Sequence, residues 1–104
     1  MNIQFKKGVL DMCVLAVLMD GDSYGYDLAD SLSGRIQLAD GTVYPILRKL
    51  ASDGMVSTYL MESKNGPPRK YYHITEKGKE KLADDLKEWS SLKDAVDIIT
   101  GGKV

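Results

Sequence analysis

Three helical segments, a hairpin and one long amphipathic helix follow one another in this sequence. That order predicts a mainly α (α+β) chain, a winged helix-turn-helix with a long C-terminal dimerisation helix. Three observations carry the prediction. Val43, Ile46, Leu47 and Leu50 recur at spacings of three and four. Strand-favouring residues flank an Asn65-Gly66 turn signal. Leu82, Leu86, Trp89, Leu92, Val96 and Ile99 then form a stripe with helical spacing. The 104 residues amount to one domain, with 1–75 the winged helix-turn-helix part and 76–104 the terminal helix, packed as one compact unit.

The first helix is read over Lys7 to Met19, where Val9, Leu10, Met12 to Leu18 and Met19 leave little polar surface. A helix apolar on every face needs cover on every face, and a second copy of so small a chain is one source of it. Asp20-Gly21-Asp22 ends this helix and Ser23 is the expected N-cap of the next, about Tyr24 to Leu32. That second helix should bury Leu28 with Tyr24 or Leu32, and Gly25 should admit another backbone. The third helix is placed from an Asp40 cap to Asp53, with Gly54 just beyond its end. Pro45 then falls near the fifth helical position, so either the helix starts later or it kinks.

Met55 to Met61 and Lys70 to Ile74 read as paired strands, with Pro67-Pro68 making the intervening loop longer and stiffer than a two-residue turn. Alternation puts Tyr72 and Ile74 on one face, Tyr71 and His73 on the other. Thr75 is the cap of the final helix, and Glu76 suits its positive end. The apolar stripe of that helix outruns the compact domain and reads as a seam against a partner.

Composition excludes several chemistries. At 43% hydrophobic and 28% charged residues the chain is an ordinary globular one. Its longest apolar run, Met12 to Met19, is too short to span a membrane, and no signal-peptide pattern precedes it. One Cys and one His make neither a disulfide nor a structural zinc site. A cytoplasmic protein without cofactor, metal or catalytic set is expected, and His73 is read as having no Cys, Asp or second His arranged around it. Cys13 reads as inert packing.

The net charge of −1 hides an asymmetry. Gly41 to Lys81 holds eight basic against four acidic residues, so the remainder is acidic. A local basic block suits an anionic partner, although scattered surface charge produces the same count. A helix entering the major groove meets bases near its N-terminal end, which here offers Thr42, Tyr44 and Pro45, then Arg48 and Lys49. Arg48 suits guanine or phosphate, Lys49 phosphate. Both equally suit a solvated helix face, and Tyr44 could pack against the wing. Lys64, Asn65, Arg69 and Lys70 sit on the stiff hairpin tip, where they could reach an adjacent phosphate backbone or minor groove. Trp89 reads as core, as interface, or as one of two indoles stacking a flat ligand across a dimer.

LAVLMDGDSYGYDL (Leu15 to Leu28), DGTVYPILRKLASDGMV (Asp40 to Val56) and RKYYHITEKGKEKL (Arg69 to Leu82) resemble the PadR family of bacterial transcriptional regulators. The GTxYPxLxxL and YxxTxxG elements occur in the family's order. The resemblance implies a homodimeric repressor that binds a palindromic double-stranded DNA operator and releases it when a small planar aromatic compound binds. The short length and single C-terminal helix are similar to the smaller subgroup, which includes a lactococcal multidrug-binding regulator. By that resemblance Phe5, Met12, Trp89 and Lys93 would line the ligand space, and Lys93 would favour neutral or anionic ligands. Ala39 departs from the polar cap usual in the family. The competing reading is a dimerising winged-helix interaction module that does not read DNA.

Overall fold

The structure is a computed structural model that describes residues 3–39 and 41–101, with side chains from Gly8 onward. Its elements run α1 (Ile3–Met19), β1 (Ser23–Tyr24), α2 (Gly25–Ser33), α3 (Val43–Ser52), β2 (Val56–Ser63), β3 (Gly66–Ile74) and α4 (Glu76–Thr100). The strands form one antiparallel sheet in the order β1-β3-β2. This is the winged helix-turn-helix with a C-terminal helix.

Helix α1 begins earlier than its apolar run suggested and touches α2, α3, α4 and β3. Leu10, Val14, Leu15 and Leu18 are buried by the chain's own elements. A second copy is therefore not needed to cover this part of α1, which corrects the expectation drawn from its all-round apolar pattern. Leu28 and Leu32 of α2, the stripe of α3, and Val56, Tyr72 and Ile74 of the sheet complete the core.

Ser23 does not cap α2. It pairs with Tyr72 as part of a third strand, while Tyr24 occupies the N-cap position without a side-chain cap bond. Pairing with β3 satisfies this backbone better than a cap, and two residues are too few to show strand periodicity. Gly25 admits side chains rather than another backbone. A Cβ there would stand 3.2 Å from the Tyr72 ring and 3.7 Å from the Tyr44 ring.

Helix α3 starts at Val43, so Pro45 is its third residue. Its missing N–H falls among the first-turn groups that have no intrahelical partner, and no kink is required. The Asp40 cap lies outside the described residues. At the other end Gly54, at φ 77°, takes the left-handed position that a Cβ would disfavour. Its N–H bonds to the Ala51 carbonyl and that of Met55 to Leu50, which closes the helix.

The hairpin turn is shorter than expected. Ser63 pairs with Gly66 across Lys64-Asn65, and both prolines lie inside β3. Between the pairs Met61–Arg69 and Ser63–Gly66, β2 has one residue and β3 has Pro67 and Pro68. This irregularity accommodates residues that cannot serve as ladder donors. Thr75 caps α4 as expected, accepting from the Gly78 N–H at 3.1 Å. Its hydroxyl also reaches the Gly54 and Met55 carbonyls at 2.7 and 3.0 Å, so the cap ties α4 to the end of α3.

Candidate nucleic-acid interface and adjoining depression

The apolar stripe of α3 turns inward, which fixes its opposite side outward. Val43, Ile46, Leu47 and Leu50 are buried, while Tyr44, Pro45, Arg48 and Lys49 are exposed. Thr42 is half-buried and precedes the helix. Its hydroxyl donates to the Ala39 carbonyl at 2.7 Å. The proton is thus committed, and what remains for a partner is an acceptor oxygen and a methyl group.

The structure connects this helix to the wing through Tyr72. That ring is buried beside Gly25 and Tyr44, and burial pushes its hydroxyl above the ordinary tyrosine range while the nearby Arg48 charge opposes the shift. Lys70 shares the Tyr72 face of β3 by strand alternation, so it extends the face that meets α3. Arg69 stands on the opposite face, with its guanidinium carbon 4.9 Å from the centre of the Tyr24 ring. Lys64 and Asn65 occupy the turn. All four wing residues are exposed, but they do not form one patch: Arg69 and Lys70 point to opposite sides of the sheet.

Sequence reasoning missed the groups around His73. Asp22 lies 51 residues earlier, yet its Oδ1 is 2.7 Å from His73 Nδ1, and its Oδ2 accepts from the Tyr59 hydroxyl at 2.6 Å. The Tyr59 and His73 hydrogen bonds hold the Asp22 carboxyl below the usual carboxylate value. His73 therefore does have an acidic partner, contrary to the expectation. No local signal could have shown it, because the β1–β3 pairing brings Asp22 there.

Trp89 is half-buried where α4 crosses α1. It borders an open depression of about 340 Å³ with Gly8, Val9, Met12, Lys81, Asp85, Glu88 and Leu92. Met12 and Trp89 border it together. The Phe5 side chain lies outside the described residues, and the exposed Lys93 is not in the lining. Lys81 bonds to Asp85 at 2.8 Å, which raises the lysine's pKa. With that pair internally neutralised, Glu88 leaves the rim acidic rather than basic. Asp11, one residue from Met12, is half-buried, and burial raises its carboxyl above 3.8 against the opposing pull of Lys49 and Lys81. Burial likewise raises the Cys13 thiol.

Among the described residues no group of three or more His, Cys, Asp or Glu side chains could hold a metal ion, and no helix is long and apolar enough to cross a membrane.

The profile of the transcriptional regulator PadR-like family matches residues 14–84. A Streptococcus transcriptional regulator of known structure superposes with a TM-score of 0.86 at 32% identity, covering 95% of this chain and 99% of that one. A PadR-like regulator from Bacillus cereus gives 0.83 at 34% identity, covering 95% and 98%. A PadR family regulator from Eggerthella lenta gives 0.82 at 32%, covering 96% and 88%.

Proposed function

Because the chain belongs to the PadR-like family of transcriptional regulators, DNA-binding regulators rather than enzymes, we propose that it acts as a homodimeric repressor of a palindromic operator, relieved by a planar aromatic ligand. The observation that carries this reading is the uncovered stripe of α4. Leu86, Leu92, Val96 and Ile99 are 45–69% exposed on a helix of 25 residues. Apolar side chains at three- and four-residue spacing pack well against a second such helix. A two-fold pair presents two copies of α3, and these read successive major grooves when about 34 Å apart. In each copy Thr42, Tyr44, Pro45, Arg48 and Lys49 serve the groove. Lys64, Asn65, Arg69 and Lys70 serve the flanking backbone.

The Trp89 depression supports the ligand part of the proposal. It adjoins the uncovered stripe through Leu92, so pairing would roof it. The acidic rim favours a neutral or positively charged aromatic compound, which reverses the preference expected from Lys93. A ligand that binds the mismatched helix spacing more tightly by a few kcal/mol suffices to empty an operator.

The test is binding to a duplex from the chain's own upstream region against a scrambled duplex, over a range of salt concentrations. We expect preferential, strongly salt-dependent binding that Arg48→Ala with Lys64→Ala abolishes. Equal affinity for both duplexes would reject a specific operator. A function indifferent to the double substitution would favour an interaction module that does not read DNA. Trp89→Ala, the loss of the sole tryptophan, should weaken binding of planar aromatics measured by calorimetry and leave low-salt DNA binding intact; unchanged ligand binding in the variant would reject stacking on the indole.

A further inference from the structure

One row of side chains across the sheet is not used by the core. The registers pair Tyr24 with Tyr71 and Tyr71 with Tyr59, so three tyrosines stand side by side on the face away from Tyr72 and Ile74. Tyr59 and Tyr71 stack with centroids 5.7 Å apart and planes at 22°. Tyr71 and Tyr24 follow at 6.0 Å. Asp22 anchors one end through the Tyr59 hydroxyl, and Arg69 lies over the Tyr24 ring at the other. Asp22 also precedes Tyr24 by two residues, so backbone and side chains together close a ring of contacts.

We infer that the Tyr24–Tyr71–Tyr59 row, anchored on Asp22, is a positioning device for Arg69. The inference rests on the proposed contact of Arg69 with the DNA backbone. A guanidinium lying on an aromatic face keeps its N–H donors in its own plane, free for phosphate. A free arginine loses much rotamer entropy on binding, whereas one already held on a ring loses less. The row explains why half-exposed tyrosines occupy this solvent face. Hydrophobic burial does not account for them, because Tyr59 is 39% exposed.

Two measurements separate the inference from the reading it rests on. In the free protein, the Arg69 Nε–H resonance is expected to show an upfield ring-current shift, retained in Tyr24→Phe, lost in Tyr24→Leu and reduced in Asp22→Ala. For duplex binding, Tyr24→Leu should weaken affinity about two- to five-fold, the size of an exposed cation–π contact. Arg69→Ala should weaken it at least as much, and the double variant no more than Arg69→Ala alone. A purely structural role for Tyr24 would make the losses add, which overturns the inference, as does an Arg69 resonance unchanged in Tyr24→Leu. If the resonance moves but Arg69→Ala binds DNA normally, the DNA contact itself is wrong and the positioning role falls with it. Asp22→Ala, at a surface residue, repeats both readouts without a core change should Tyr24→Leu fail to fold.

Discussion

Helices α3 and α4 carry similar apolar repeats and meet opposite fates. The α3 stripe is at most 8% exposed, whereas α4 is covered only at its start, where Leu82 is 6% exposed, and at Trp89 in part. Among the described residues α4 lies mainly against α1 and β3, and its later turns run past both. Periodicity tells which face a helix will bury; whether its own chain supplies the cover depends on where the helix is carried in space.

The largest effect that would sharpen this contrast is expected at Leu47, which is fully buried. Leu47→Ala should cost about 2–5 kcal/mol of unfolding free energy in urea melts, a large share of a small domain's stability. A loss below 1 kcal/mol would mean that α3 is not held as described.

On α4, Leu92→Glu should leave the circular dichroism of the subunit intact while weakening self-association roughly tenfold or more in sedimentation. If the substitution instead unfolds the chain, the stripe belongs to the fold rather than to an interface. Unchanged association would place the interface elsewhere.

The smallest effect concerns Asp11, at the junction where α1 meets both helices. Burial raises its folded pKa, so between the unfolded and folded values the native chain holds a proton that the unfolded chain has released. Ionisation therefore costs stability: the penalty is absent below the unfolded value near 3.8 and grows as pH rises through the folded one. Asp11→Asn should raise Tm at pH 7, and the difference should close below about pH 4. A lower Tm in the variant at neutral pH would show that the attraction of the nearby Lys49 and Lys81 charges outweighs desolvation.

Much of the exposed surface of the candidate interface was legible beforehand. Arg48 and Lys49 face outward because the four apolar positions between Val43 and Leu50 must face inward. Thr75 starts α4 and Gly54 ends α3 for local reasons of capping and backbone conformation. Other features depended on neighbours distant in the chain. Pro67-Pro68 looked like loop until β2 showed where the ladder is interrupted, and Lys93 looked like lining until α1 showed which side of α4 it crosses.

What the amino-acid order determined alone was the four helices and the hairpin, with the face that α3 buries and the residues it leaves outside. Propensity, capping and hydrophobic period act over a few residues and require no knowledge of the rest. Only the tertiary structure decided that Ser23-Tyr24 joins the sheet, that Asp22 meets His73 and Tyr59, and that Arg69 lies over the Tyr24 ring. Those outcomes depend on the register of strands some fifty residues apart, and a one-residue slip in register would exchange the faces.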